Sequence, residues 1–141
     1  MPHLVNSVDI RRPVEEVFDY VSDLQNELEW NPNLTSIERL SSGPLGVGTR
    51  FAAKWRGSPP LTIQVTRFER PRVFEAFMAG KGMDGTFRAE FSPLGDGTHA
   101  TVAMDSHLTG LMRLMSPVIG RALQRQEERN LANVKSRLER G

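Results

Sequence analysis

Two amide side chains in the last quarter of the chain have the types and spacing to recognise a polar group. Gln126 and Asn130 are four residues apart, which places them one turn apart on one face of a helix. An uncharged amide both donates and accepts hydrogen bonds, so the pair can hold a carbonyl or a hydroxyl group. Alternatively, both amides bond to strand ends, loop backbone or water, as buried polar groups usually do. Glu127 borders the same face and could point either way, although we expect its carboxylate to reach solvent because burying it unpaired is costly.

Groups that could transfer protons or hold a metal are sparse. Asp105 and His107 are two residues apart on one strand face, so the carboxylate could orient the imidazole. The strand phasing given below puts both on the solvent face, and we therefore predict no catalytic residue. The remaining histidines, His3 and His99, add no metal-ligand spacing. We also expect no cofactor, since the chain lacks a glycine loop that binds phosphate and a nucleophile-elbow serine.

Composition excludes several other classes of protein. The chain has 141 residues, enough for one domain with a real core, and no cysteine, which removes disulfides and thiolate sites. Lys and Arg number 18 against 17 Asp and Glu, so no net field gathers phosphates and we expect no nucleic-acid partner. The start resembles no signal peptide, and no apolar run approaches the roughly 18 residues of a membrane span. We expect a cytoplasmic monomer or homodimer without membrane insertion.

A long C-terminal helix must position the two amides. Ser116-Pro117 begins a helical pattern that runs to Arg140, about 24 residues or about 36 Å. Its inward arc consists of Ile119, Leu123, Gln126, Asn130, Val134 and Leu138. At the other end of the chain, a strand over residues 4–10 precedes two short helices. The first follows Pro13, placed at the first helical position, and the second is capped by Asp23 and ends at Trp30.

Six further strands with short connections predict an antiparallel meander, over residues 35–40, 49–55, 61–68, 73–78, 85–91 and 98–108. Alternation assigns one apolar face to Phe51, Ala53, Trp55, Leu61, Ile63, Val65, Phe74, Ala76, Met78, Phe87, Ala89, Phe91, Val102, Met104 and Ser106. The opposite face is mostly polar. A slip of one residue in the strand at 73–78 would instead turn Glu75 inward and place a carboxylate in the pocket.

Five local segments add to this order of elements: residues 10–18 (IRRPVEEVF), 30–32 (WNP), 46–51 (GVGTRF), 68–71 (FERP) and 95–98 (GDGT). Together they resemble the START-like (SRPBCC) superfamily, and within it the polyketide cyclase/dehydrase and lipid-transport family. The resemblance covers residues 4–140 and implies an α+β helix-grip fold. In that fold a curved seven-stranded antiparallel sheet wraps around the C-terminal helix and leaves a cavity. We accordingly treat residues 1–141 as a single START-like ligand-binding domain.

Large or adaptable apolar side chains on the inward faces are the expected cavity wall: Trp30, Phe51, Trp55, Phe74, Met78, Phe87, Phe91 and Met104. Any one of them could instead fill the core. We place Trp30 at the mouth, and Ser106, Gln126 and Asn130 as the groups that orient a ligand. The predicted function is binding or transport of a small, largely apolar molecule, lipid-like or polyketide-like, without metal or cofactor.

The resemblance also implies an alternative, since some members of the family cyclise or dehydrate polyketides. The base would then be Glu75 or the Asp105/His107 pair. If a phenol acts as the acid, it must be Tyr20, since the chain has no other tyrosine. An inward carboxylate with a raised pKa would support the enzyme, and a neutral lining would support the carrier. A third interpretation takes Arg121, Arg125 and Arg129 as a basic surface for a protein partner, although a solvated helix face balanced by Glu127 and Glu128 is the favoured explanation.

Overall fold

A seven-stranded antiparallel sheet and a long C-terminal helix form the molecule in the computed structural model, which describes residues 3–57 and 59–140. The strands are β1 (His3–Ile10), β2 (Leu34–Arg39), β3 (Arg50–Trp55), β4 (Leu61–Glu69), β5 (Val73–Gly80), β6 (Met83–Leu94) and β7 (Gly97–Leu108). The helices are α1 (Val14–Ser22), α2 (Glu27–Trp30), α3 (Leu111–Leu114) and α4 (Ser116–Arg140), with a 3-10 turn at Leu24–Asn26. The sheet order β1-β7-β6-β5-β4-β3-β2 confirms the predicted helix-grip architecture.

Each strand differs from its predicted bounds by one to three residues at one end or both, most of all β6, which extends over Met83–Leu94. Pro13 precedes α1 as its capping residue rather than occupying the first helical position, and its carbonyl accepts from the Val17 amide at 3.1 Å. The short helix α3 was not predicted. Met1, Pro2 and Ser58, which belong to the predicted start and to a predicted turn, lie outside the described residues. In the described part of the chain, no helix is both long and apolar enough to cross a membrane.

The predicted phasing of the sheet is confirmed. Residues of the apolar set are buried or half-buried, whereas their neighbours along each strand face outward. Glu75 belongs to the outer face, where Nη1 of Arg88 donates to its carboxylate at 3.0 Å. The slip that would turn Glu75 inward therefore does not occur, because it would expose Phe74, Ala76 and Met78, which are all buried.

Helix α1 covers one end of the core, and the second half of α4 covers the part of the core next to it. Phe18 of α1 is fully buried, with edge-to-face ring contacts to Phe68 at 5.2 Å and Phe91 at 5.7 Å. Val134 and Leu138 of α4 are also buried, and this end of α4 is fixed by hydrogen bonds such as that from Nε of Arg12 to the Leu138 carbonyl at 2.7 Å. The first half of α4 is less deeply packed, which leaves space between it and the sheet.

A buried hydroxyl joins the β7 end of the sheet to the loop before α1. Thr98 is fully buried, and its hydroxyl donates to the carbonyl of Arg12 at 2.8 Å. Thr98→Val keeps the shape but removes this bond, so we expect the free energy of unfolding to fall by about 1–2 kcal/mol. Urea unfolding measures the change. The exposed Thr62→Val on β4 is the matched control, and an equal effect of both variants would contradict the assignment.

Candidate functional site

A cavity of about 290 Å³ lies between the sheet and the first half of α4. Its volume is at the small end of the range for ligand pockets. The apolar wall consists of Leu24, Trp30, Trp55, Leu61, Ile63, Ala76, Met78, Met83, Phe87, Met104, Ile119 and Leu123. Arg56 and Gly57, both exposed, mark the end that opens to solvent. The small side chains of Ala76 and Ser106 on neighbouring parts of the sheet leave room beneath α4.

A deeper space of about 20 Å³ adjoins this cavity, and Trp30, Phe87 and Glu127 border both. It is large enough for about one water molecule. Phe91 and Asn130 lie on the deeper space only. A third hollow of about 450 Å³, bordered by Asn6 and Lys135 among others, is an open groove between β1 and the outside of α4. Because that groove is wide open, its walls would not surround a ligand. The cavity under α4 is therefore the candidate site.

Most of the residues predicted to contact a ligand border one of these two spaces. Seven of them line the main cavity: Trp30, Trp55, Met78, Phe87, Met104, Ser106 and Gln126. Phe51 and Phe74 border neither space, because both are fully buried in the core, where the Phe74 ring contacts Phe68 and Phe87. Trp30 lies deeper than the mouth position predicted for it, since only 8% of its surface is exposed.

Glu27, at the start of α2, brings a carboxyl group into the cavity that the sequence analysis did not predict. Its Oε2 accepts a hydrogen bond from Nδ2 of Asn31 at 2.7 Å, and the Trp55 side chain also donates to the carboxylate. Burial raises the pKa of Glu27 to about 7, although both hydrogen bonds act in the opposite direction. The Glu27 side chain is half-buried and lines the cavity, and burial is the largest influence on its pKa.

Glu127 of α4 lines the same cavity, and the expectation that its carboxylate reaches bulk solvent is wrong. Its pKa is raised to about 7, mainly by burial and also by the nearby Glu27 carboxylate, although a hydrogen bond from Asn130 acts in the opposite direction. The two carboxyl groups therefore interact. The neutral lining named above as support for a carrier is therefore not what this cavity has. The sequence contained a hint of both carboxyl groups. Glu127 is adjacent to Gln126 of the inward arc, and Glu27 is four residues, or one helical turn, before Asn31.

Two buried polar atoms beside these carboxyl groups have no hydrogen-bond partner among the described residues. They are the indole nitrogen Nε1 of Trp30, a donor, and Oδ1 of Asn130, an acceptor. Only 2% of the surface of Asn130 is exposed. A buried polar atom without a partner costs about 1–3 kcal/mol, so both atoms favour a bound polar group nearby.

Several other candidate groups lie outside the cavity. Asp105 and His107 are exposed on the outer face of β7, as the phasing predicted. Tyr20 donates to Oε1 of Glu29 at 2.9 Å. Burial, and to a smaller extent the Glu29 carboxylate, raises the pKa of Tyr20 to about 12. The basic positions Arg121, Arg125 and Arg129 are all exposed. Within residues 3–57 and 59–140, no three His, Asp or Glu side chains are grouped to hold a metal ion.

Comparison with known proteins adds the family and the fold. The sequence profile of the polyketide cyclase/dehydrase and lipid transport family matches residues 1–139. No curated protein matches the sequence at a significant level.

Solved structures with the same fold include a conserved protein from Geobacillus kaustophilus, with a TM-score of 0.81 and 14% identity over 99% of this chain and 96% of that one. A protein from Thermus thermophilus has a TM-score of 0.77 and 19% identity, with 96% of each chain covered. DynU16, from the dynemicin biosynthetic locus, has a TM-score of 0.71 and 16% identity over 99% of this chain and 48% of its own. At these identities the structural likeness establishes the fold alone.

Proposed function

The chain belongs to the polyketide cyclase/dehydrase and lipid transport family, and from that premise we propose that it binds or transports a small, largely apolar molecule under α4. The observation that carries this proposal is the apolar wall of the 290 Å³ cavity, which includes both tryptophans of the chain, Trp30 and Trp55. Burying about 200 Å² of apolar ligand surface there would contribute about 5 kcal/mol before the costs of association.

Binding is tested with the neutral fluorescent probe N-phenyl-1-naphthylamine, after the purified protein has been examined by native mass spectrometry and stripped of small molecules by organic extraction. We expect saturable binding of one probe per chain, accompanied by a change in the fluorescence of Trp30 and Trp55, which both line the cavity. An adduct in the native spectrum would identify the ligand class directly. Probe binding that does not saturate, or that leaves tryptophan fluorescence unchanged, would contradict the proposal.

The amide of Asn130 is the group that we expect to influence ligand choice most. Its Oδ1 atom has no partner among the described residues, and its side chain donates to Glu127 from the deeper space that adjoins the cavity. Asn130→Leu should leave the fold intact. It should weaken the binding of hydroxylated ligands relative to analogues without the hydroxyl by about 1–3 kcal/mol, because the ligand hydroxyl then loses its hydrogen-bond partner.

A panel of paired analogues, measured by calorimetry, checks this expectation. Gln124→Leu is the matched control, since Gln124 is also an amide of α4 but bonds to Asn6 at 2.7 Å outside the cavity. Affinities that are the same for Asn130→Leu and the wild-type protein across the whole panel would count against a selecting role for the amide.

A second candidate function, dehydration or cyclisation of a polyketide-like substrate, is favoured by one observation. Two carboxyl groups face the cavity, and the pKa of each is raised to about 7, the condition named above for an enzyme. Glu27 and Glu127 would then take the place assigned to Glu75 or Asp105/His107. In a dehydration, one carboxylate removes the proton next to the carbonyl, and the other carboxyl group protonates the leaving hydroxyl, which departs as water.

A β-hydroxyacyl thioester of N-acetylcysteamine is a suitable substrate for testing this chemistry. Formation of the unsaturated thioester by the wild-type protein, and its loss in both Glu27→Gln and Glu127→Gln, would support the enzyme. Product formation that persists in both variants would exclude the carboxyl pair, and a lack of product with tight binding of the same thioester would favour the carrier.

A further inference from the structure

We propose that the cavity selects a hydrophobic amine, that is, an apolar molecule whose single cationic nitrogen lies against the carboxyl groups of Glu27 and Glu127. This inference rests on the proposed binding function and names the class of ligand. It starts from the charge inside the cavity, which the proposed function alone does not explain.

The charged groups that border the cavity are Glu27 from α2, Glu127 from α4 and Arg56 after β3. The residues that β4, β5, β6 and β7 contribute to the wall are all uncharged. Arg56 is exposed at the open end, and none of the ion pairs among the described residues involves Glu27 or Glu127. When both carboxyl groups are ionised, they repel each other in an apolar enclosure, and a cation between them relieves that repulsion.

The neighbouring side chains match an ammonium group in a second, independent way. An ammonium carries three N–H donors and accepts nothing. Oδ1 of Asn130, in the deeper space beside Glu127, is a buried acceptor without a partner in residues 3–57 and 59–140. The rings of Trp30 and Trp55 line the same cavity and provide aromatic faces, which attract cations. The N–H of Trp30, which has no partner in the described part of the chain, would suit an oxygen acceptor elsewhere on the ligand.

Other polar ends fit the same surroundings less well. A fatty-acid carboxylate adds a third negative charge next to two carboxyl groups, which is unfavourable in an enclosed site. An alcohol offers a single donor and no charge, so it forms neutral hydrogen bonds where an amine forms charge-assisted ones. An amine should therefore bind most tightly when Glu27 and Glu127 are ionised and should lose that advantage when both carry protons.

The test compares octylamine, octan-1-ol and octanoate, which share one alkyl chain, by calorimetry and tryptophan fluorescence. At about pH 8, where carboxyls with a pKa of about 7 are mostly ionised, we expect octylamine to bind at least about tenfold more tightly than octan-1-ol. Octanoate should bind most weakly. The advantage of octylamine should shrink at about pH 5 and disappear in the Glu27→Gln, Glu127→Gln double variant, while Glu128→Gln, an exposed neighbour on α4, retains it.

The outcomes separate this inference from the binding function on which it rests. If octan-1-ol saturates one site and octylamine binds no more tightly, the amine inference is overturned and the apolar binding function stands. An amine preference that survives in the double variant would also overturn it, because the carboxyl groups would then not be its source. If neither octan-1-ol nor the naphthylamine probe saturates, both proposals fail.

Discussion

At about pH 8, the Glu27→Gln, Glu127→Gln double variant should be more stable than the wild-type protein by about 2–4 kcal/mol. The pKa of each carboxyl is raised to about 7 in the folded protein, against 4.5 as the ordinary value. At pH values between 4.5 and about 7, the folded chain binds more protons than the unfolded chain. The free energy of unfolding of the wild-type protein therefore falls as the pH rises through this range. Glutamine keeps the shape without the charge and removes the loss. Because both groups are partly accessible, the figure is smaller than the full shifts would give.

Urea unfolding followed by circular dichroism over about pH 4 to 8.5 measures this difference. The wild-type free energy of unfolding should decline through the window and level off above it, while the advantage of the double variant shrinks toward acid pH. Glu128→Gln, which removes an exposed carboxylate from the adjacent position, should follow the wild-type curve. Parallel curves for the double variant and the wild-type protein would show that the two carboxyl groups are not held in a low-polarity cavity.

Leu123→Trp should block the cavity and weaken binding of N-phenyl-1-naphthylamine by at least about 100-fold, which corresponds to about 110 Å² of lost apolar contact. Leu123 lines the cavity from α4 and is only half-buried, so a larger ring can extend into the free space without displacing the core. We therefore expect the free energy of unfolding to change by no more than about 1 kcal/mol.

Titration of the probe into extracted protein gives the binding loss, and urea unfolding gives the stability. Leu114→Trp is the matched control, because Leu114 is 80% exposed and does not border the cavity. The control should bind the probe as the wild-type protein does. Equal affinity in Leu123→Trp and the wild-type protein would mean that the probe binds elsewhere on the surface.

The fold follows from local patterns in the sequence because those patterns repeat along whole elements. Alternation along β5, with Phe74, Ala76 and Met78 inward, is reinforced by matching alternation on β4 and β6, and a slip would reverse an entire face. The inward arc of α4 is predicted in the same way, since Asn130, Val134 and Leu138 recur at a helical spacing and all are buried.

The site is less predictable because it depends on where separate elements end relative to one another. Phe51 and Trp55 share one face of β3, yet only Trp55 borders the cavity, since the space lies under the first half of α4. The carboxyl groups were missed for a different reason. An unpaired buried carboxylate is costly, and the sequence does not show that Asn31 and Trp55 donate to Glu27 or that Asn130 donates to Glu127.

The most direct test of ligand binding under α4 is nuclear magnetic resonance of the protein labelled with ¹³C at the methionine methyl groups. Met78, Met83 and Met104 line the cavity, whereas Met115 does not border it and is 49% exposed. With N-phenyl-1-naphthylamine bound, we predict large shifts and direct ligand contacts for the three cavity methyl groups and an unchanged signal from Met115. Contacts to Met115 without contacts to Met78, Met83 or Met104 would contradict binding in this cavity.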